Sequence, residues 1–325
     1  MKPNKYKYIE TKIYSYKKHV KYSFLKIVFL TIIVFFGTMS CRNFGEKIVE
    51  VDFIGQNKQS SETKKIDTAK YLIVVVAAML SPKETFIYYE DLFNYISQKF
   101  KLKIEFKQRP TYNEVNSLLI SNEADIAFIC SGAYIDIARQ VDLLVVPVCD
   151  GKPYYQAYII THKESRIDSF SDFQGKSFAY TDKLSNTGKL YADKCVKDLN
   201  QNPAKFFKKS IYSSSHDVSI QMVAKKFVDG ASVDGLIFNY MKKYQHKKVE
   251  NIKIIEKSQY FGIPPIVTSR KMSSVLKEKL KSLFLNMHND ERGKKILDKL
   301  LIDKFIVVGD TLYNNIRKNN ELLCR

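Results

Sequence analysis

Apolar residues fall along this chain in short continuous runs, separated by stretches whose apolar positions recur at helical spacing. The run YLIVVVAAM (residues 71–79) is continuously apolar and of strand length, which predicts a strand buried on both faces of a parallel sheet. Ser81, Pro82 and Glu84 follow with capping-box spacing and with Pro at the first helical position. Apolar residues at 88, 89, 92, 93, 96 and 100 then trace one face of a helix. LKIEFK alternates as a strand, and Thr111 with Glu114 repeats the capping box to open a helix ending near Ser121. DIAFIC is the next strand, and SGAYIDIARQ the next loop and helix. Strand and helix in strict alternation imply βαβ units and an α/β fold. LLVVPV and YYQAYIITHK are further strand candidates, and the alternation continues to about residue 258. Two amphipathic helices and the segment GDTLYNNIRK close the pattern.

The N-terminal part does not fit this rhythm. Residues 1–23 are basic and polar, residues 24–36 (FLKIVFLTIIVFF) are almost wholly apolar, and GTMSC follows. A basic region, a short apolar core and small residues predict a secretory signal over residues 1–40, and the apolar run is short for a membrane span. Because Ser40 precedes Cys41, the segment resembles a bacterial lipoprotein signal with Cys41 as the lipidated residue. Thr38 departs from that pattern, which usually has an aliphatic residue there, and the alternative is an uncleaved membrane anchor. Residues 41–68 have the mixed polar composition of a flexible tether, with GQNKQSSETKK at the centre.

Composition narrows the class. An apolar share of 45% with 13% aromatic residues excludes a disordered chain, and 325 residues suffice for two domains. Residues 1–41 hold eight Lys and one Glu, a share of +7, so +12 of the net +19 belongs to the rest. Lys is spread throughout, without an Arg-rich stripe, zinc-finger spacing or RNP-like motif, so nucleic acid is not read as a partner. The general positive field favours anions and anionic membrane surfaces. Five cysteines (Cys41, Cys130, Cys149, Cys195 and Cys324) form no CxxC and no metal-ligand spacing. Apart from Cys41 they read mostly as small buried apolar residues.

The candidate chemistry centres on GKSFAYTDKLSNTG (residues 175–188). An apolar strand-like segment leads through a polar turn to Ser185, Asn186, Thr187 and Gly188, which open the helix KLYADKCVKDL. The first N–H groups of a helix lack internal partners and carry partial positive charge, Ser and Thr add hydroxyl donors, and Gly188 permits close approach. Such a turn suits a tetrahedral oxyanion. The alternative is that Ser185 or Thr187 merely caps the helix. YSSSHDVSIQMV places His216 at the start of a further helix, and VDGASVDGLIFNYM carries Asp234. Ser185, His216 and Asp234 also supply the residue types of a hydrolase triad, but no G-x-S-x-G elbow surrounds Ser185.

In order and spacing, these segments resemble the PhnD-type substrate-binding proteins of phosphate, phosphite and phosphonate ABC importers. The resemblance covers roughly residues 68–320 and rests on the Ser-Asn-Thr-Gly turn, the Ser-His-Asp segment, VDGASVD, and the terminal FIVVGDTLY. It implies a two-lobed type II periplasmic-binding-protein fold, each lobe a mostly parallel sheet flanked by helices, with a ligand cleft between them. Residues 69–160 with 260–325 would form lobe one and residues 161–259 lobe two, with the two C-terminal helices and the GDTLYNNIRK helix packed on lobe one. Phe173, Gly175 and Lys176 resemble the family's entry into lobe two. The resemblance makes Ser185, Asn186, Thr187 and Gly188 ligand contacts, His216 a donor to a phosphoryl oxygen, and Ser131 a hydroxyl donor from lobe one. Tyr134 would be a wall and Tyr112 a further contact; ordinary packing is the alternative for both tyrosines.

One departure concerns the ligand. Family members that take an amine-bearing phosphonate present an acid just before the "PIV" strand, where this chain has Pro264 in FGIPPIV. Asp234 is the remaining candidate; its alternative role is to cap the turn in SVDGLIF. Phosphate, phosphite or a simple alkylphosphonate therefore fits at least as well. The expectation is a monomeric, lipid-anchored solute-binding protein without cofactor, on the outer face of the cytoplasmic membrane or in the periplasm. It would deliver a phosphorus oxyanion to an ABC permease. Other readings are a binding-protein-fold enzyme of pyrimidine-precursor synthesis, which needs a cofactor lysine and a catalytic His, and a surface lipoprotein without transport role.

Overall fold

The structure, a computed structural model, describes residues 71–323. The signal segment, Cys41, the tether and Cys324 lie outside the described residues. Among the described residues eleven of the thirteen strands build two principal sheets, with nine longer helices beside them. β1 (Tyr71–Val76), β2 (Lys103–Gln108), β3 (Ile126–Phe128), β4 (Val141–Val148), β12 (Ile266–Ser269) and β13 (Lys304–Ile306) form one sheet in the order β13-β4-β12-β3-β1-β2. β6 (Ala157–His162), β7 (Ser177–Tyr180), β8 (Lys209–Tyr212), β9 (Gly230–Asp234) and β10 (Ile252–Lys257) form the other, in the order β10-β6-β9-β7-β8. The chain passes between the sheets twice, and the passing segments β5 (Tyr154–Tyr155) and β11 (Phe261–Gly262) pair antiparallel. β1 runs parallel to β2 and β3, as its unbroken apolar run implies, whereas β12 and β13 return antiparallel to their neighbours.

The helices are α1 (Pro82–Phe100), α2 (Tyr112–Ile120), α3 (Ser131–Ile137), α4 (Tyr191–Asp198), α5 (His216–Ala224), α6 (Gly235–Tyr244), α7 (Ser274–Asn286), α8 (Glu291–Leu300) and α9 (Asn314–Leu323). Thr111 opens α2 with the expected box, accepting from Glu114 N at 3.3 Å while its own N–H donates to the Glu114 carboxylate at 3.1 Å. Leu92, Phe93 and Ile96 of α1 are buried against the first sheet with Leu72, Val74 and Phe106. Ile160, Val233, Ile220 and Phe238 do the same for the second. Another cluster runs from Val75 and Ile129 through Tyr155 and Phe261 to Tyr180 and Ala192, so apolar packing is continuous through the passing strands. Truncating a core residue such as Leu92 to Ala typically costs about 2–5 kcal/mol.

Two sequence expectations change. The box of Ser81 and Glu84 does not form at α1. The Asp217 carboxylate, from the start of α5 in the other lobe, accepts from Ser81 N at 2.8 Å and Ser81 Oγ at 2.6 Å instead. Glu84 takes Gln245 Nε2 at 2.7 Å and Lys248 Nζ at 3.1 Å, again across the lobes. A carboxylate at a helix N-terminus interacts favourably with the dipole and bonds more strongly than a neutral hydroxyl, which is why Asp217 displaces the local cap. The second change concerns α9. Expected on lobe one alone, it packs against α3 of lobe one and also against α4 and the turn at Asn186–Leu190 of lobe two. Tyr313, just ahead of α9, sets its ring 4.6 Å from that of Tyr134.

Asp217→Ala removes the acceptor of both Ser81 donors. Bonds to a charged group contribute roughly 1.5–3 kcal/mol each, and a chain of this size shifts its thermal midpoint by about 2–4 °C per kcal/mol. A fall of several degrees, with faster amide exchange at Ser81, is the expected result. An unchanged midpoint with unchanged exchange would count against the bridge.

Candidate functional site

The site begins where β7 ends. Asp182 turns the chain, with Leu184 N donating to its Oδ1 at 2.8 Å and Ser185 N to its carbonyl at 3.1 Å. Ser185 then caps the next element by accepting Gly188 N at 3.0 Å. The helix predicted here opens on a wider π turn, Asn186–Leu190, before α4 continues it. Lys189 N and Leu190 N both end on Ser185 O at 3.0 Å, and Tyr191 N reaches back to Asn186 O. π turns recur at functional sites because they break the regular ladder. A Cβ on Gly188 would stand 2.5 Å from Thr181 Oγ1 and 2.8 Å from Ser185 Oγ, so this tight turn admits only glycine. Ser185, Asn186 and Thr187 are all buried. The Thr187 carbonyl accepts Ser232 Oγ, while its own hydroxyl has no partner.

His216 faces this turn from the first position of α5. Its N–H donates to Met79 O at 3.0 Å, which ties it to the first lobe. Its Nδ1 lies 3.1 Å from Asp234 N and 3.0 Å from Thr181 Oγ1. A backbone amide can only donate, so Nδ1 presents its lone pair and the ring proton resides on Nε2. Nε2 is buried and has no hydrogen-bond partner. Burial pulls the ring's pKa down to about 3, so the imidazole is neutral at physiological pH.

Tyr112 enters from the first lobe. Its N–H donates to Asp182 Oδ2 at 3.2 Å, and its fully buried hydroxyl lies beside Ser185 without completing a bond. Ser215 Oγ, next to His216, is buried and unpaired as well. Tyr112 Oη, Thr187 Oγ1, Ser215 Oγ and His216 Nε2 are thus orphaned on the elements that meet here. Each such group costs roughly 1–3 kcal/mol when left without a partner. All of them can donate a hydrogen bond.

The remaining predicted residues divide. Gly132, beside Ser131, meets the turn so closely that a Cβ would fall 2.1 Å from Leu184 O and 2.7 Å from Asn186 N. The Ser131 hydroxyl is 2.5 Å from Tyr155 Oη, which also accepts Asn186 Nδ2 at 3.3 Å. Ser131 therefore braces the turn through Tyr155. Tyr134 donates to Asp310 Oδ1 at 2.8 Å and packs on Tyr313, so packing is the role the structure gives it. The Asp234 side chain caps α6, accepting Leu236 N at 2.7 Å and Ile237 N at 3.4 Å, while its main chain positions His216. Ser215, Tyr155 and Thr181 were not singled out in the sequence. The serine run before His216 was the available signal for Ser215; nothing in YYQ or AYTD marked the other two. Among the described residues no group of three or more His, Cys, Asp or Glu could hold a metal ion, and no helix is long and apolar enough to cross a membrane.

Two α/β lobes joined by two passing strands, with donors buried between them, define a periplasmic binding protein of type II. Residues 74–313 match the family described as "ABC transporter, phosphonate, periplasmic substrate-binding protein", and the chain belongs to that family. It is 26% identical over 212 residues to the phosphonates-binding periplasmic protein of Escherichia coli (strain K12), covering 63% of this chain. The match spans 62% of that relative's length. A binding protein component of an ABC phosphonate transporter from Pseudomonas aeruginosa superposes with a TM-score of 0.74 at 24% identity, over 78% of this chain and 87% of that one. PhnD1 of Prochlorococcus marinus (MIT 9301), solved in complex with methylphosphonate, gives 0.71 at 16% identity, over 78% and 98%. Both likenesses concern the fold.

Two outcomes follow from the geometry. Gly132→Ala sets a methyl against the Leu184 carbonyl and holds the cleft ajar; overpacking of this kind costs roughly 1–3 kcal/mol, about 5–150-fold in affinity for whatever the cleft takes. Unchanged affinity would show that the contact gives way freely. The second concerns pH. Burial raises the Asp234 carboxyl from 3.8 to about 7, so its contribution to stability is full below the unfolded value and lost as pH rises through about 7. His216 acts oppositely, contributing fully above 6.5 and losing stability as pH falls toward about 3. Between pH 6 and 8 the wild-type melting midpoint is therefore expected to fall, and Asp234→Asn to fall less. Parallel profiles in the two proteins would exclude Asp234 as the source.

Proposed function

We propose that this protein is the extracytoplasmic solute-binding lipoprotein of an ABC importer and captures a phosphorus oxyanion (phosphonate, phosphite or phosphate) between its lobes. The observation that carries the reading is the set of buried, unpaired donors on Tyr112, Thr187, Ser215 and His216. The amides of Asn186 and Thr187 and the proton of Ser185 Oγ would complete the shell; Gly188 N is already taken by Ser185 Oγ. A neutral His216 gives one proton without adding charge, so the anion is held by oriented dipoles. Membership in the phosphonate family supports the class of ligand and the ABC transporter context. Closure of the lobes would present the loaded protein to a permease, with acyl chains on Cys41 holding it at the bilayer.

Calorimetry with phosphate and methylphosphonate tests the shell. Losing one bond to a charged ligand costs about 1.5–3 kcal/mol, so Thr187→Val and His216→Ala are each expected to weaken binding roughly ten- to a hundredfold. Full affinity in both variants would remove the shell from consideration. For the anchor, fatty-acid labelling is expected to mark the wild type and not Cys41→Ser, because stable anchoring takes two chains or more. Wild-type protein that takes up no label and retains residues 1–40 would overturn the lipoprotein reading.

A further inference from the structure

Five loops meet at the end of the second sheet that lies opposite the donors. β7, β8 and β9 run parallel and start at one level, with Ser177 paired to Lys209 and Phe178 to Gly230. β6 ends and β10 begins at the same level, since Thr161 pairs with Gly230 and His162 with Ile252. Main-chain bonds lace the loops together: Lys208 N to Lys176 O at 2.9 Å, Gly175 N to Phe206 O at 2.8 Å, Asp229 N to Ser177 O at 3.1 Å and Lys163 N to Asn251 O at 2.8 Å. Residues 163–166, 174–176, 205–209, 225–229 and 249–251 carry eight Lys or Arg against three acids, and all eight cations are exposed. Among them only Lys226 is ion-paired, with Glu164 at 2.7 Å. Asp229 accepts from Ser177 N and Oγ, and Glu250 is exposed.

Phe227 projects from the middle of this basic end, just ahead of the central strand β9. α5 closes in a Schellman turn, with Lys226 N donating to Val223 O at 3.0 Å, Phe227 N to Met222 O at 2.8 Å, and Lys226 at a φ of 59°. The residue at the position of Phe227 commonly folds back on the helix in such a turn. Phe227 is instead 70% exposed, more than any other large apolar side chain among the described residues. Val228 after it is buried, so the chain beneath the ring is anchored.

A protruding aromatic ring among unpaired, flexible cations matches an anionic bilayer. The ring can enter the boundary between headgroups and acyl chains while the amines meet phosphates. The chain itself supplies the proximity. Residues 41–70, between Cys41 and β1, span at most about 100 Å when extended, which keeps this end within reach of a bilayer that holds Cys41.

We propose that this end of the second sheet docks on anionic lipid headgroups, with Phe227 as the apolar wedge and the surrounding lysines as the charged ring. The inference rests on the membrane-held reading of the protein and is independent of what the cleft binds. Docking in this way leaves the Asp182–Gly188 turn and Asp234, at the opposite ends of β7 and β9, turned from the bilayer. Each lysine near an anionic surface adds about a fivefold gain in partition.

The chain contains no Trp, so Phe227→Trp places a single fluorescent reporter at the tip. The full chain carrying it is mixed with phosphatidylcholine vesicles made with and without phosphatidylglycerol. Emission is the readout, because a chain held by its N-terminal segment would sediment with either vesicle. With anionic vesicles the emission is expected to shift to the blue, to be quenched by lipids brominated in the acyl chain, and to revert at high salt. Changing Lys176, Lys208 and Lys225 together to Gln is expected to weaken docking about a hundredfold. Should Phe227→Trp not fold, lysine acetylation of the wild type decides, with Lys176, Lys208 and Lys225 expected to be protected by anionic vesicles. Unchanged emission, or unprotected lysines, overturns the docking surface whatever fatty-acid labelling shows for Cys41. An equal shift on both kinds of vesicle, or undiminished docking of the triple variant, overturns it too. A shift that needs no vesicle and grows with protein concentration assigns the patch to a second copy of the chain and overturns the lipid assignment.

Discussion

The hydrogen bond from the Asp234 amide to His216 Nδ1 decides what the centre of this molecule can do. An imidazole in an apolar interior has two tautomers, and the choice fixes whether the other nitrogen gives a proton or takes one. By occupying Nδ1 with a donor that cannot be reversed, the end of β9 makes Nε2 a donor. Burial keeps the ring neutral, so the choice is not undone by a second proton. The same residue caps α6 with its side chain, so one aspartate aligns a strand end, a helix start and a histidine.

Around that bond the lobes are held by few but specific contacts. Tyr112 N reaches Asp182, His216 N reaches Met79 O, and Ser81 reaches Asp217, each joining an element of one sheet to a turn of the other. Small residues permit the approach. Gly132 lets α3 lie against the Leu184 carbonyl, and Gly188 lets the π turn fold onto Thr181. These contacts involve the same short segments that carry the unpaired donors.

Much of this architecture was legible in the sequence because it follows from local pattern. The apolar run of β1, the capping box at Thr111 and the start of α5 at His216 each depend on neighbours within a few residues. The Ser185–Gly188 turn was legible as a helix start, yet its π geometry was not, since nothing in the local pattern separates a π turn from an α turn. Ser81 illustrates the limit well. Its spacing to Glu84 satisfies every local rule for a box, but a carboxylate 136 positions away competes and wins. Tyr155 and Thr181 act only through partners brought in by folding, and no local signal records them. The straddling of α9 across both lobes likewise depends on a surface that exists only once both are formed.

The borrowed cap on α1 has a consequence for the unliganded protein. With the lobes apart, Ser81 and the first turn of α1 would face water without Asp217, and Asp217 would lose both of its donors. Opening would then break both bonds to Ser81, the residue that precedes the 19-residue helix α1. Were the lobes to part, the bonds lost at Ser81 would add to the cost of the open arrangement. A ligand meeting a receptor already biased toward closure forfeits less of its intrinsic affinity to the population that is not competent to hold it. The cost of parting the lobes would then include two charge-assisted bonds made by a single serine at the head of α1.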